Sequence, residues 1–586
     1  MRNRKTLFYP AVILAMTVSA VAQNSSSQTT YNINTLAGKV ASLNGTAGLQ
    51  IRFSALIEHE AGFDPDEVLS SDGGGSALDP APVVGPNVIV NQDTKGAPQN
   101  ETAIAVDPNN PMRIVGGIND YVTGTWPCSL PDGTPCSALG DAYSGTYFSN
   151  DGGTTWCCLS TDPSHLGTLI PGVEHLTGGP YDAGGDPVVA FDSQGNVYYA
   201  GLGFDRTAPP NTVAVNKGNF DGTGNLTWGA PVFINQTTAP STLNDKPWMT
   251  VDANPSSPFR DRVYVTWTRF IFNPHNGRYV QSPIALSVSR DGGKSFSDPK
   301  LIVDNVLYDQ GSNVVVGPDG TVYAFWDGST RHATLDSIWM VKSTDGGLSW
   351  SKPVAVSTLV DIVPLASTAF RVNSYPAGAV APNGDVYVSW TGLMSDSGGL
   401  CPAFTNNGCH STALYSKSTD GGTTWSAPAA VFAGIDASTR TPVGYPVTQP
   451  DGSMMNAPAP RRIDTLWPRI AFTPSGHVYM GAYAAGTVSP YFNATSKTYI
   501  NNALLDYVVT DLAATEIVST KPLNTRFQFG GGFIGDYTGL AVGTDERFHA
   551  FWNTTTPQTI DWWFGTHSLM GVVTNSQDVV TAAGIF

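Results

Sequence analysis

The chain of 586 residues sets 30 Lys and Arg against 47 Asp and Glu, a formal net charge of −17, with only 13% of residues charged. A field of that sign disfavours nucleic acid and anionic membranes as partners. With 41% hydrophobic residues, 62 Gly and 42 Pro, the composition is that of an ordered, turn-rich chain and not a disordered one.

At the N-terminus, Arg2, Arg4 and Lys5 precede an apolar run from Leu7 to Val18 and the small-x-small stretch Ala20-Val21-Ala22. This predicts a secretory leader over residues 1–22, cleaved near Gln23. The apolar run is shorter than the roughly 20 residues a span requires, and no later segment is long and apolar enough. The mature chain is therefore expected to be secreted or periplasmic, monomeric and without an integral membrane segment. Residues 23–84, rich in Ser, Gly and Asp, read as an irregular or mobile extension.

From residue 85 to about 570, β-rich runs are joined by Gly/Pro/Asn turns, as in Val188 to Tyr199, Val314 to Trp326 and Ala379 to Trp390. Asp-Gly and Asn-Gly between such runs are hairpin signals. Seven units start near Glu101, Asp186, Asp245, Gly311, Tyr375, Pro468 and Asp536, and four short strands per unit make the blade of an all-β propeller. Six blades would result if one of the looser units were a loop insertion. The last unit, with runs Thr538–Val542, Arg547–Asn553 and Ile560–His567, is one strand short. The segment Asn87–Asn91 is expected to supply that strand and close the ring, removing open edges; residues 571–586 are then left as a C-terminal tail.

The six cysteines are Cys128, Cys136, Cys157, Cys158, Cys401 and Cys409, an even count that favours disulfides in an exported chain. Cys401 and Cys409 flank one loop and are expected to pair; the connectivity of the other four stays open.

One phrase recurs four times: Ser149 to Trp156, Ser289 to Phe296, Ser343 to Trp350 and Ser418 to Trp425, each reading Ser-x-Asp-Gly-Gly-x-Thr/Ser-aromatic. Turn chemistry explains every position. Asp and Ser side chains bond nearby backbone, the glycines admit positive φ, and the aromatic buries a large surface. The phrase, centred on Asp151, Asp291, Asp345 and Asp420, resembles the Asp-box or BNR repeat of sialidase-like (neuraminidase) propellers. The resemblance implies a propeller with the repeats away from the active face, and a glycosidase activity or a non-catalytic role in binding glycan or an extracellular protein.

Carried over residue by residue, the resemblance implies that Tyr537 stands where sialidases keep their nucleophile, and that Arg371, Arg469 and Arg526 could hold a substrate carboxylate as a guanidinium cluster. Two features depart from the sialidase pattern. Glu101 stands where the first arginine is expected, and no Glu occurs between Glu174 and Glu516 to partner the tyrosine. Acidic residues instead recur at the entrances of inner strands: Glu101, Asp186, Asp245 and Asp536, with Asp309 slightly earlier. Such a ring could serve as acid and base on a glycosidic bond or bind Ca²⁺ through oxygen ligands, though no cofactor is required by the sequence. Equally, each carboxylate could accept backbone N–H bonds at a strand start. Trp248, Trp267, Trp326, Trp390 and Trp552 are expected in the core; Trp126, Trp467 and the pair Trp562-Trp563 are the candidates for exposure.

Overall fold

The computed structural model describes residues 67–68 and 84–586, apart from 92–96, 122–125, 130–134, 139–141, 158–168, 206–209, 277, 304–307, 331–333, 364, 366–369, 406, 441–445, 449–450, 457–458, 488–490, 494–497, 500–503, 526–532 and 565–569. Residues 1–22, where a leader is expected, most of residues 23–84 and Arg526 lie outside the described residues.

Seven antiparallel sheets follow one another along the chain. Their inner strands are Gln99–Asp107, Ala183–Phe191, Thr242–Val251, Tyr308–Val316, Ala377–Val380, Thr465–Phe472 and Gly539–Val542, which define blades 1 to 7. The all-β, seven-bladed propeller expected from the repeats is thus the fold observed. Helix is confined, among the described residues, to the short turns His175–Thr177 and Ala433–Asp436. None is long and apolar enough to cross a membrane.

The last blade is completed as the strand count required. Val88 and Ile89 pair with Thr581 and Val580, Val90 is fully buried, and the Asn91 side chain donates to Asp578 while accepting from the Val579 N–H. One expectation is corrected here. Residues 571–586 are not a tail: Met570–Gly584 is a long strand of the last blade, lying between the N-terminal strand and Phe548–Phe564. Val580 and Ala582 share one face of the strand and pack in the core with Trp552, while Val579 on the other face packs with Phe551. In the extension, Glu67–Val68 pairs with Tyr491 and Phe492.

The four turns of the repeated phrase follow the third strand of blades 1, 3, 4 and 5. In each, the Ser hydroxyl donates to the Asp carboxylate and accepts the N–H of the second Gly, and the Asp also accepts the N–H of the residue four positions on. The second glycines, Gly153, Gly293, Gly347 and Gly422, all have φ between 82° and 87°, where a Cβ is disfavoured. Register fixes where these turns lie. Ser149 pairs with Ile114 at one end of blade 1, whereas Asn100 pairs with Asn119 at the other. The repeated turn in blade 1 is therefore at the opposite strand end from the inner-strand entrance, and the other three follow the same strand position. Cys401 and Cys409 are joined in a disulfide, and backbone register sets Cys128 opposite Cys136.

Between blades 1 and 2, Glu174 is fully buried. It accepts the Ser144 N–H at 2.8 Å, and no cation pairs with it among the described residues. Burial lifts its carboxyl from an ordinary 4.5 to about 7. The folded state then holds a proton that the unfolded chain releases, so this contribution is fully present at low pH and is lost as pH rises through about 7. A shift of that size corresponds to about 3 kcal/mol. Glu174→Gln, which keeps the acceptor for Ser144, is expected to gain stability relative to wild type on going from pH 5 to pH 8. Urea unfolding at both values checks this; equal pH dependence in the two proteins would remove Glu174 as the cause.

Candidate functional site: the mouth of the channel

The inner strands share a local irregularity. In blades 1, 2, 3, 4 and 6 the ladder slips at Asn100/Ala103, Gly185/Val188, Asp245/Trp248, Gln310/Asn313 and Leu466/Arg469. A bulge of this kind re-aims a side chain out of the sheet. Two positions before the first residue paired beyond the slip stand Glu101, Asp186, Lys246, Gly311 and Trp467, with φ of 52°, 53°, 48°, 66° and 57°. Blades 5 and 7 begin their ladders at Ala377 and Gly539, and the same offset gives Tyr375 and Tyr537. Seven equivalent positions thus surround the channel mouth: Glu101, Asp186, Lys246, Gly311, Tyr375, Trp467 and Tyr537. The left-handed conformation costs a non-Gly residue about 1–2 kcal/mol, and four of the seven bear it.

This alignment corrects the expected acidic ring. Asp245 is one residue out of register, and the ring position in blade 3 belongs to Lys246. Asp245 instead accepts a hydrogen bond from Gln310 Nε2 at 2.8 Å. Asp309 is buried, with its backbone bonded to Ser282, and does not belong to the ring. A readable signal existed for Lys246. Asp186-Pro187, Lys246-Pro247, Tyr375-Pro376 and Trp467-Pro468 all place proline directly after the ring residue, and aligning these prolines would have shifted blade 3 by one.

Lys246 is the hub. Its Nζ lies 2.8 Å from Glu101 Oε1, 3.3 Å from Asp186 Oδ2 and 2.6 Å from Asp536 Oδ2, so one ammonium joins carboxylates from blades 1, 2 and 7. The Arg371 fork adds two bonds to Asp536, 2.9 Å from Nε and 2.7 Å from Nη2, and Asn373 Nδ2 donates to the same residue. Asn119 donates to Glu101 Oε2 at 2.8 Å and accepts the Asp186 N–H. At this ring, where Ca²⁺ was one possible occupant, the cation shared by the carboxylates is Lys246. A separate trio, Asp327, Asp336 and Asp361, is buried with carboxylate oxygens within 4.8 Å of one another, an oxygen set of the type that could hold a metal ion.

The electrostatics follow from burial and these partners. Burial works against the Lys246 charge, but Asp186, Asp536 and Glu101 outweigh it and raise its pKa. Burial pushes Asp536 up, yet Arg371 and Lys246 prevail and hold it below the usual carboxylate range. For Glu101 burial wins over Lys246 and lifts the group well above its ordinary value, with Asp186 and Asp536 adding to the rise. Burial also lifts Asp245 to about 6 against the pull of Lys246.

Beside the hub is a shallow cleft open to solvent, where the non-protein space of about 450 Å³ includes open solvent. Its walls include Lys246, Trp248, Tyr375, Trp467, Arg469 and Tyr537, and Asp536 reaches it as well. The Arg469 guanidinium lies 4.1 Å from the Trp248 ring and 5.9 Å from Tyr537. Burial lowers its pKa to about 10, and no carboxylate pairs with it among the described residues. Tyr537 is edge-on to Trp248 at 6.0 Å, and its hydroxyl donates to the Pro187 carbonyl at 3.2 Å. Of the expected core tryptophans, Trp267, Trp326, Trp390 and Trp552 are buried. Trp248 is half-buried and belongs to the cleft, which corrects its assignment. Trp467, expected to be exposed, is 3% exposed yet still forms part of the wall. The side chains of Trp126, Trp562 and Trp563 lie outside the described residues.

No protein-family model matches this chain, and no curated protein matches it. Solved structures that align with it include an α-L-arabinofuranosidase from Fusarium graminearum, at 13% identity over 74% of this chain and 99% of that one, with a TM-score of 0.37. An α-L-arabinanase from Penicillium chrysogenum aligns at 14% identity over 74% and 99%, with a TM-score of 0.36. A leech intramolecular trans-sialidase aligns at 10% identity over 87% and 98%, with a TM-score of 0.35. The seven-bladed assignment for this chain rests on its own strand pairing.

Proposed function

We propose that this chain is a secreted, glycan-active propeller that hydrolyses glycosidic bonds at the channel mouth with a non-standard set of residues. The observation that carries this reading is the meeting of carboxylates from three blades on one ammonium, beside an aromatic-walled cleft. Contacts of 2.8 and 2.6 Å to the same Nζ set an upper limit of roughly 5.5 Å between Glu101 Oε1 and Asp536 Oδ2, no wider than the carboxyl pair of retaining glycosidases. Asp536, held ionised by Arg371 and Lys246, is the permanent carboxylate of the pair. Glu101 and Asp245, lifted by burial, suit holding a proton, with Asp186 between them. Arg469 and Arg371 are the cations a polar or anionic sugar substituent would meet, and Trp248 offers a ring to its apolar face.

A second reading, a non-catalytic propeller that binds glycan or protein at the same mouth, is favoured by one contact. The Tyr537 hydroxyl is already given to the Pro187 carbonyl, and burial raises its pKa well above the ordinary value, so it is not poised as a nucleophile. The deciding experiment measures turnover of a fluorogenic sialic-acid glycoside and a panel of nitrophenyl glycosides, alongside retention on an array of neutral and acidic glycans. Hydrolysis is expected for at least one substrate, and Asp536→Asn is expected to lower kcat by about a hundredfold or more. Retention on the array without turnover of any substrate would leave the binding reading and remove the hydrolytic one.

A further inference from the structure

Two phenols occupy equivalent ring positions, in blades 5 and 7, and their surroundings differ. Tyr537 spends its hydroxyl on the Pro187 carbonyl. Tyr375 lines the cleft, is half-buried, and its hydroxyl makes no hydrogen bond among the described residues. Its ring is set by blade 4. The ring position there is Gly311, at φ 66°, and a Cβ added to it would fall 2.2 Å from the Tyr375 ring. Any residue with a side chain at 311 would therefore evict the ring, so the glycine creates the seat that the tyrosine fills. On the backbone side Tyr375 is fixed by its N–H, which donates to Asn373 Oδ1 at 3.2 Å; Asn373 also holds Asp536. The phenol is in the field of Asp536, Lys246 and Arg371, which belong to the hub, and of Asp245 beside it.

A half-buried phenol with a fixed ring and an uncommitted hydroxyl presents an apolar face and a polar tip to whatever enters. We infer that Tyr375 is the ligand-contacting phenol of the mouth cleft, its hydroxyl hydrogen-bonding a sugar oxygen. The assignment rests on the reading of the cleft as a glycan site. It places the specificity contact on blade 5, in the seat made by Gly311, and not on the tyrosine of the last blade.

Two measurements test it. Hydroxyl-radical footprinting of the native chain, which reads side-chain accessibility without needing the ionised phenol, followed by peptide mapping, is expected to oxidise Tyr375 faster than Tyr537; the reverse pattern would overturn the assignment whatever the ligand. On the glycan array, Tyr375→Phe is expected to weaken retention of the glycans that wild type binds by about fivefold to tenfold, with its melting temperature unchanged. Gly311→Ala should weaken it as well, by displacing the ring with the phenol intact. Unchanged retention by Tyr375→Phe would overturn the hydroxyl contact. Oxidation of Tyr375 as expected, with no glycan retained by wild type, would instead overturn the glycan reading and with it the sugar contact.

Discussion

Lys246→Met is expected to cost about 3–5 kcal/mol of folding free energy at pH 8, the range found when one partner of a buried ion pair is removed. Methionine preserves the apolar stem and removes the charge. Glu101 and Asp536 are then almost fully buried, at 1% and 3% exposure, and lose the ammonium they share with Asp186. Only the Arg371 fork on Asp536 remains as a cationic contact. The pH dependence follows in sign. Without Lys246 the folded-state pKa values of these carboxyls rise, so the native state takes up protons that the unfolded chain does not. Stability is then regained at low pH and lost as pH rises through the raised values. Chemical denaturation of wild type and variant at pH 5 and pH 8 should show a gap that widens with pH. A gap of the same size at both values would mean that the ammonium is not the counterion of the ring. Asp186→Asn in the Met background should recover part of the loss, because it removes one of the uncompensated charges.

The parts of this molecule that were legible in the sequence are those whose cause is local. Asp420 and Gly422 make their turn with partners no more than four residues away, and the same eight-residue phrase therefore forms wherever it occurs. The N-terminal strand could be placed because the last unit lacked one and a propeller must close. What the sequence concealed depends on a one-residue slip. Blade 3 carries the same bulge as blades 1 and 2, but a carboxylate directly precedes its ring residue, so a unit alignment built on acidic residues puts Asp245 in a ring position that Lys246 occupies. The gathering of Glu101, Asp186 and Asp536 on that lysine joins residues up to 435 positions apart through the ring itself, and no spacing rule reports it. Gly311 shows the same limit in another form. Its role is to leave room for Tyr375, a fact about a neighbouring blade that a lone glycine at a strand entrance does not disclose. Met570–Gly584 was missed for a different reason. Its outer half, Gln577 to Ala583, mixes polar and small residues, and its burial comes from being covered on one edge by Val88–Val90.

That closure gives the second large effect. A chain beginning at residue 84 is expected to fold like wild type, whereas one beginning at residue 97 is expected to lose its cooperative thermal transition or to melt far lower. The missing segment takes with it the fully buried Val90, the Val88 and Ile89 ladder, and both bonds of the Asn91 amide. It also releases Asn87, whose side chain donates to the Val518 carbonyl and accepts from Thr520 in blade 6, tying neighbouring blades together. The strand left behind, Met570–Gly584, would show a long open edge, a template for pairing with a second chain. The shorter protein should accordingly self-associate in size-exclusion chromatography, and a synthetic peptide spanning residues 84–91 should restore the monomer by adding back the strand. A point variant gives the same test without truncation. Val90→Asp sets an unpaired carboxylate in a site with no solvent access, at a cost of several kcal/mol. If the chain beginning at 97 melts with the midpoint of the chain beginning at 84, ring closure does not depend on this strand, and the last blade must be held by the contacts of its other three strands alone.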